Sequence, residues 1–155
     1  MPHVDPIPAQ YRSAIPYLNV PDGESAIDFY ERAFGGRTDL RLTRPDGKLA
    51  HAEIRFGDAL VMVREEIPEL GFRSPRAIGG TPVQILVYVE DVEALVQRAK
   101  NAGAKVVRPV EEQFHGDFMA TLEDPFGYQW FFATHVEDLG GEELAQRSTA
   151  YDPTA

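Results

Sequence analysis

The amino-acid sequence predicts an α+β fold: two tandem β-α-β-β-β modules forming a curled, antiparallel-rich sheet around a cleft. Three observations carry that expectation. A helix-period segment flanked by short apolar runs occurs twice, the two occurrences keep register along the chain, and a proline- and glycine-rich stretch separates them. Asp22 and Asp91 stand 69 positions apart and Gly57 and Gly127 stand 70 apart, so the repeat hardly drifts across a whole module. Self-similarity at a fixed period marks duplication of one supersecondary unit.

The first module, 13–64, opens on the apolar run 14–20, which Pro21-Asp22-Gly23 stops. Asp22 suits a helix N-cap because its carboxylate can accept the unpaired N–H groups of a first turn. SAIDFYERAF then places Ile27, Tyr30, Ala33 and Phe34 on one stripe at helical spacing, and Gly35-Gly36 ends the helix. Three strand-length segments follow: 38–43, 49–56 after the Pro45-Asp46-Gly47 turn, and 59–63 after Gly57-Asp58. Residues 65–81, EEIPELGFRSPRAIGGT, read as the inter-module linker. The second module, 82–134, repeats the order as VQILVYV, the capped helix DVEALVQRAKNAG, AKVVRPV, FMATLED and YQWFFAT. Residues 1–10, with three prolines, read as loosely ordered, and 139–155 as a short helix and tail beyond a single domain at 11–138.

A four-stranded sheet with a helix on one face leaves its other face uncovered. Alternate strand residues share a face. By that parity Tyr17, His51, Glu53, Val61, Gln84, Tyr88 and Phe131 look into the cleft, with Gln129 beside them. Such a mixed aromatic and polar lining suits a small-molecule pocket. Trp130 and Phe132 fall on the core side. His51 and Glu53, at i and i+2, are the candidate catalytic pair for general acid/base work, with Tyr17 as a donor; the plainer reading is a solvated polar face. His115, in the QFHGDF turn, is placed to overhang the cleft as a ligand contact, whereas His3 and His135 flank the fold and are given no role.

Composition narrows the partners. The formal net charge of −10 repels phosphate backbones and anionic lipid, so neither nucleic acid nor membrane is an expected partner. With no cysteine there is no disulfide framework and no thiolate nucleophile. No basic leader precedes an apolar segment and no window approaches the ~18 apolar residues of a membrane span, so a cytoplasmic protein is expected. GxSxG, GxGxxG and phosphate-loop patterns are absent, which disfavours covalent hydrolysis and nucleotide chemistry.

The phrases AIPYLNVPDGESAIDFYERAFGG, KLAHAEIRFGDALVMV, VYVEDVEALVQRAKNAGAKVVRPVEEQFHGD and EDPFGYQWFFATHVED, in that order, span almost all of 14–138. Through them the chain resembles the vicinal oxygen chelate superfamily, glyoxalase/bleomycin resistance protein/dioxygenase-like, in its small bacterial members. Metal-dependent members of that family carry two ligands per module, on the first and last strands. Carried onto this chain, those positions are Ile15, Gln84, Val61 (within one residue) and Phe131, of which only Gln84 offers a donor atom. The resemblance therefore implies the fold without its usual metal: no cofactor is expected, and a divalent metal relocated to His51 and Glu53 is disfavoured. Similar proteins commonly show arginine at Phe118, which is kept among the ligand-contact positions, and histidine at Tyr128. A homodimer is implied because relatives bury apolar sheet surface against a second chain; whether the modules pair within or between chains stays open. The implied function is metal-independent binding of a small, partly aromatic molecule, a cationic one being favoured by the negative charge, in the manner of drug-sequestering relatives. The alternative is a lyase or isomerase acting on a small carbonyl compound.

Overall fold

A computed structural model describes residues 4–154; His3 and the ends of both terminal segments lie outside them. The helix caps form where the sequence places them. The Asp22 carboxylate accepts the Ser25 N–H at 2.7 Å at the start of α1 (Gly23–Phe34), and Asp91 accepts the Ala94 N–H at 2.9 Å at the start of α3 (Val92–Asn101). Gly35 ends α1 in the left-handed region, φ 69°, which a side chain would disfavour. Strands β1 (Tyr17–Val20), β2 (Arg37–Thr43), β3 (Leu49–Phe56) and β4 (Ala59–Glu65) surround α1 in sequence. A short helix α2 (Pro75–Ile78) follows, then β5 (Gln84–Tyr88), α3, β6 (Lys105–Glu112), β7 (Asp117–Glu123), β8 (Gln129–His135) and α4 (Gly141–Thr149).

The expected curled, antiparallel-rich sheet around a cleft does not form. The modules make two separate, open, four-stranded mixed sheets, ordered β1-β4-β3-β2 and β5-β8-β7-β6. In each the first and last strands pair in parallel, Tyr17 opposite Met62 and Gln84 opposite Gln129. The reason is topological. The helix returns the chain to its starting end before the second strand, so two antiparallel turns later the fourth strand runs in the direction of the first and docks beside it.

The second reason lies in the core. Each helix covers one face of its own sheet, and those covered faces share a single apolar core across the modules. Phe34 and Phe132 have ring centroids 4.7 Å apart, Phe56 and Trp130 5.5 Å, and Tyr30 and Trp130 5.5 Å. Ala52, Ile54 and Phe56 of β3 point into this core while His51 and Arg55 do not; Trp130 and Phe132 of β8 do while Gln129 and Phe131 do not. The two uncovered faces are therefore separated by the core and enclose no common cleft within the chain. Among the described residues no helix is long and apolar enough to cross a membrane.

Candidate functional site

The uncovered face of the first sheet carries the most organised chemistry. Strand register places Tyr17, Met62, Glu53 and Leu40 in one row across β1, β4, β3 and β2. Asn19 and Arg64 are paired in the neighbouring row, and Leu42 lies opposite His51. Tyr17 Oη lies 2.6 Å from His51 Nδ1, and His51 Nε2 lies 3.3 Å from Glu53 Oε1. One tautomer satisfies both contacts: Tyr17 donates to Nδ1, and the Nε2–H donates to the carboxylate. Glu53, 7% exposed, also accepts the Tyr11 hydroxyl, a bond that raises the Tyr11 pKa. The result is a hydrogen-bonded chain in which Glu53 fixes the tautomer of His51 and His51 holds the proton of Tyr17. Its chemical capability is proton transfer at the Tyr17 oxygen.

Two members of this face come from places where the sequence offers no periodic signal, and a third from a strand whose parity it leaves open by one residue. Tyr11 ends a short 3-10 turn, Ala9–Tyr11, in the N-terminal segment. Phe72 belongs to the linker, where it bridges back to Ile67 and presents its ring to Arg64. Met62, opposite both Tyr17 and Glu53, occupies the face position assigned in sequence to Val61, which is 2% exposed and part of the core. The correction follows from the Gly57-Asp58 turn, whose geometry sets strand parity and cannot be counted from residue spacing alone. A thioether is no better a ligand for a hard divalent ion than an isopropyl group.

The second sheet divides its residues between two places. At one end Gln84 Nε2 approaches Gln129 Oε1 at 3.4 Å. With Phe131, Met119 and Thr121 they line a cavity of about 460 Å³ that the C-terminal residues Tyr151–Pro153 help to wall. At the other end Tyr88 and His115 meet Asp117, which is 1% exposed. Asp117 accepts the Tyr88 hydroxyl at 2.6 Å, faces His115 Nδ1 at 3.2 Å and pairs with His135 Nδ1 at 2.6 Å. Burial pushes this carboxyl up, but the bonds from Tyr88 and His135 and the two imidazoles outweigh it and leave the pKa below the ordinary value. His135 is held above its ordinary value by Asp117 and then by Asp138, 2.9 Å from Nε2. No sequence signal assigns a role to His135; only the pairing of Asp117 with His135 across β7 and β8 brings them together. Phe118 lies on the opposite face, beside Val92 and Thr134.

A groove of about 880 Å³ lies mostly away from these uncovered faces, where Phe56-Gly57 meets α3 and the end of β5. Tyr88 and His135 are among its lining residues but Tyr17, His51 and Glu53 are not, and it is the hydrogen-bonded face of the first sheet that holds an organised set of polar groups. Among the described residues no group of three or more His, Cys, Asp or Glu side chains is arranged to hold a metal ion. The residues at the four family ligand positions do not fit a divalent ion either.

Comparison with known proteins fits this geometry. Residues 3–132 match the family described as the Glyoxalase/Bleomycin resistance protein/Dioxygenase superfamily. An uncharacterized protein of Mycobacterium bovis is 43% identical over 132 residues, covering 83% of this chain and 87% of its own. A lactoylglutathione lyase of Neisseria meningitidis serogroup A is 28% identical over 134 residues, covering 86% and 95%. The crystal structure of TioX from Micromonospora sp. ML1 superposes with a TM-score of 0.64 at 30% identity, covering 79% of this chain and 97% of that one.

Proposed function

The chain belongs to the glyoxalase/bleomycin resistance protein/dioxygenase superfamily, and we propose that within it this protein is a metal-independent binder of a small organic molecule. The observation that carries this is the uncovered face of the first sheet. It presents aromatic and polar side chains already held in place by Tyr17, His51 and Glu53, and among the described residues no group of three or more His, Cys, Asp or Glu side chains is arranged to hold a metal there. Tyr17, Gln84, Tyr88, His115, Gln129 and Phe131 are the proposed ligand contacts on the two sheets. A second copy of the chain would bring a first-sheet face against a second-sheet face and so build the enclosed site that one chain lacks. Supporting this, Leu42 is 50% exposed, Leu86 46% and Tyr88 55%, apolar surface of the kind oligomers bury.

A second reading, favoured by the Tyr17–His51–Glu53 chain and by the resemblance to a protein named a lactoylglutathione lyase, is a lyase or isomerase using Tyr17 as acid and base. Calorimetric titration with bleomycin and planar aromatic compounds, before and after exhaustive chelation, tests the first reading. Saturable binding that survives chelation and weakens in Tyr17→Ala supports it. A stoichiometric divalent ion in the purified protein, lost in His51→Ala, would sink it.

A further inference from the structure

Arg64 is held unlike any other arginine of the chain. Its guanidinium carbon lies 4.3 Å from the centroid of the Tyr17 ring and 3.5 Å from that of Phe72, so two aromatic rings engage it. Its Nε donates to Asn19 Oδ1 at 2.9 Å. Asn19 is fixed in turn from the second module: its N–H donates to Tyr128 Oη at 2.8 Å, and its carbonyl accepts that hydroxyl at 2.9 Å. The planar group is thus oriented before any ligand arrives, while no hydrogen bond from a described residue reaches its two terminal nitrogens.

Among the described residues no carboxylate pairs with those nitrogens. Glu53 is engaged by Tyr11 and His51, Glu65 accepts the Leu49 N–H at 2.6 Å, and Glu66 accepts the Ser74 N–H at 2.6 Å. In a protein with a formal charge of −10, most arginines pair with a carboxylate, yet this one does not. A guanidinium with free, coplanar N–H groups is a fork for two oxygens of an anion. Met62, two residues back along β4 and hence about 7 Å away, with Tyr17 beside it, offers an apolar surface for the rest of the molecule.

Resting on the small-molecule reading above, we infer that Arg64 anchors a carboxylate of the ligand, whose class is a monocarboxylic acid with an apolar or aromatic body. A single guanidinium in a strongly negative protein suits one negative charge better than the two of a phosphate. A cationic ligand, which net charge alone would favour, meets like charge at this position. The body of the acid then lies against Tyr17, whose hydroxyl donates to His51.

The test is calorimetric titration of the full chain with benzoate, 3-phenylpropionate and hexanoate, their neutral primary amides, and inorganic phosphate. At least one acid is expected to bind about ten-fold or more tighter than its amide, the effect of a charge-assisted pair. Arg64→Gln should abolish that preference. Asn19→Ala, which keeps the charge but frees the guanidinium, should reduce it several-fold with the fold intact by circular dichroism. Amides binding as well as acids, or a preference that survives Arg64→Gln, would overturn the inference and leave small-molecule binding standing. Phosphate binding as tightly as the acids, and lost in Arg64→Gln, would replace it with a general oxyanion site. No binding by any probe, charged or neutral, would count against both readings.

Discussion

The hydroxyl of Tyr30, on α1 of the first module, donates to the Asp124 carboxylate of the second at 2.6 Å. Asp124 is 1% exposed and also accepts the Trp130 Nε1–H at 3.0 Å and the backbone N–H groups of Phe126 and Tyr128 at 2.9 Å. Burial raises its pKa, and the four donors oppose that rise. A buried acid needs such partners, and one of them comes from the other module, so the duplicated halves are joined by a polar contact inside their shared apolar core.

Tyr30→Phe should therefore destabilise the fold by about 1–2 kcal/mol, the usual cost of leaving a buried acceptor short of one donor. Urea unfolding followed by the fluorescence of Trp130, the single tryptophan and a ligand of the same carboxylate, measures it. An unchanged midpoint would show that the inter-module bond adds nothing.

Gly23→Ala should cost about 1–3 kcal/mol, because a Cβ there collides with the Cβ and branch of Leu49, and the start of α1 would have to lift from β3. Gly140→Ala, at a site with open space around it, is the control and should lie within about 0.5 kcal/mol of the parent. Equal melting temperatures for the two variants would contradict the close approach.

The Asp117–His135 pair should make stability depend on pH. His135 is raised above its ordinary 6.5, so its contribution is complete below that value and is lost as pH rises through the folded-state pKa. Asp117 is lowered below its ordinary 3.8, so its contribution is present above 3.8 and is lost as pH falls through the folded-state pKa. Both act together between 3.8 and 6.5. Thermal melts of the parent and His135→Gln should differ most in that window and converge as pH rises well above 6.5. A gap that is constant across pH would mean that the ionised pair is not the source.

If a second copy covers the exposed sheet faces, sedimentation should report twice the 17.3 kDa chain mass. Leu86→Glu, which places a charge on the second sheet's uncovered face, should shift the population to monomer without unfolding it. A parent that sediments at the chain mass at every concentration would refute the dimer.

Helices α1 and α3, their aspartate caps and the eight strands were legible because each rests on local chemistry: a carboxylate before an apolar period, a glycine after it, an alternation along a strand; α2, inside the segment read as a linker, was not. Family membership was legible for a related reason, since the repeated phrases encode the same core contacts twice. The residue types at the four family ligand positions could likewise be read off one by one. The site itself was legible only in part. Tyr17, His51 and Glu53 share a face by parity, but Tyr11 and Phe72 lie in segments without periodicity, and Met62 displaced Val61 because a tight turn sets register.

By itself, then, the sequence determined which face of each helix and strand is apolar, and so the composition of the core and the polar character of the candidate site. Only the tertiary structure decided that the fourth strand docks parallel to the first, that two open sheets replace one curled sheet, and that Tyr128 reaches across to brace Asn19 and Arg64. Periodicity encodes the direction in which an element must bury its surface. Which partner buries it is settled by contacts between residues tens of positions apart, such as Tyr30 with Asp124, and no local pattern carries that information.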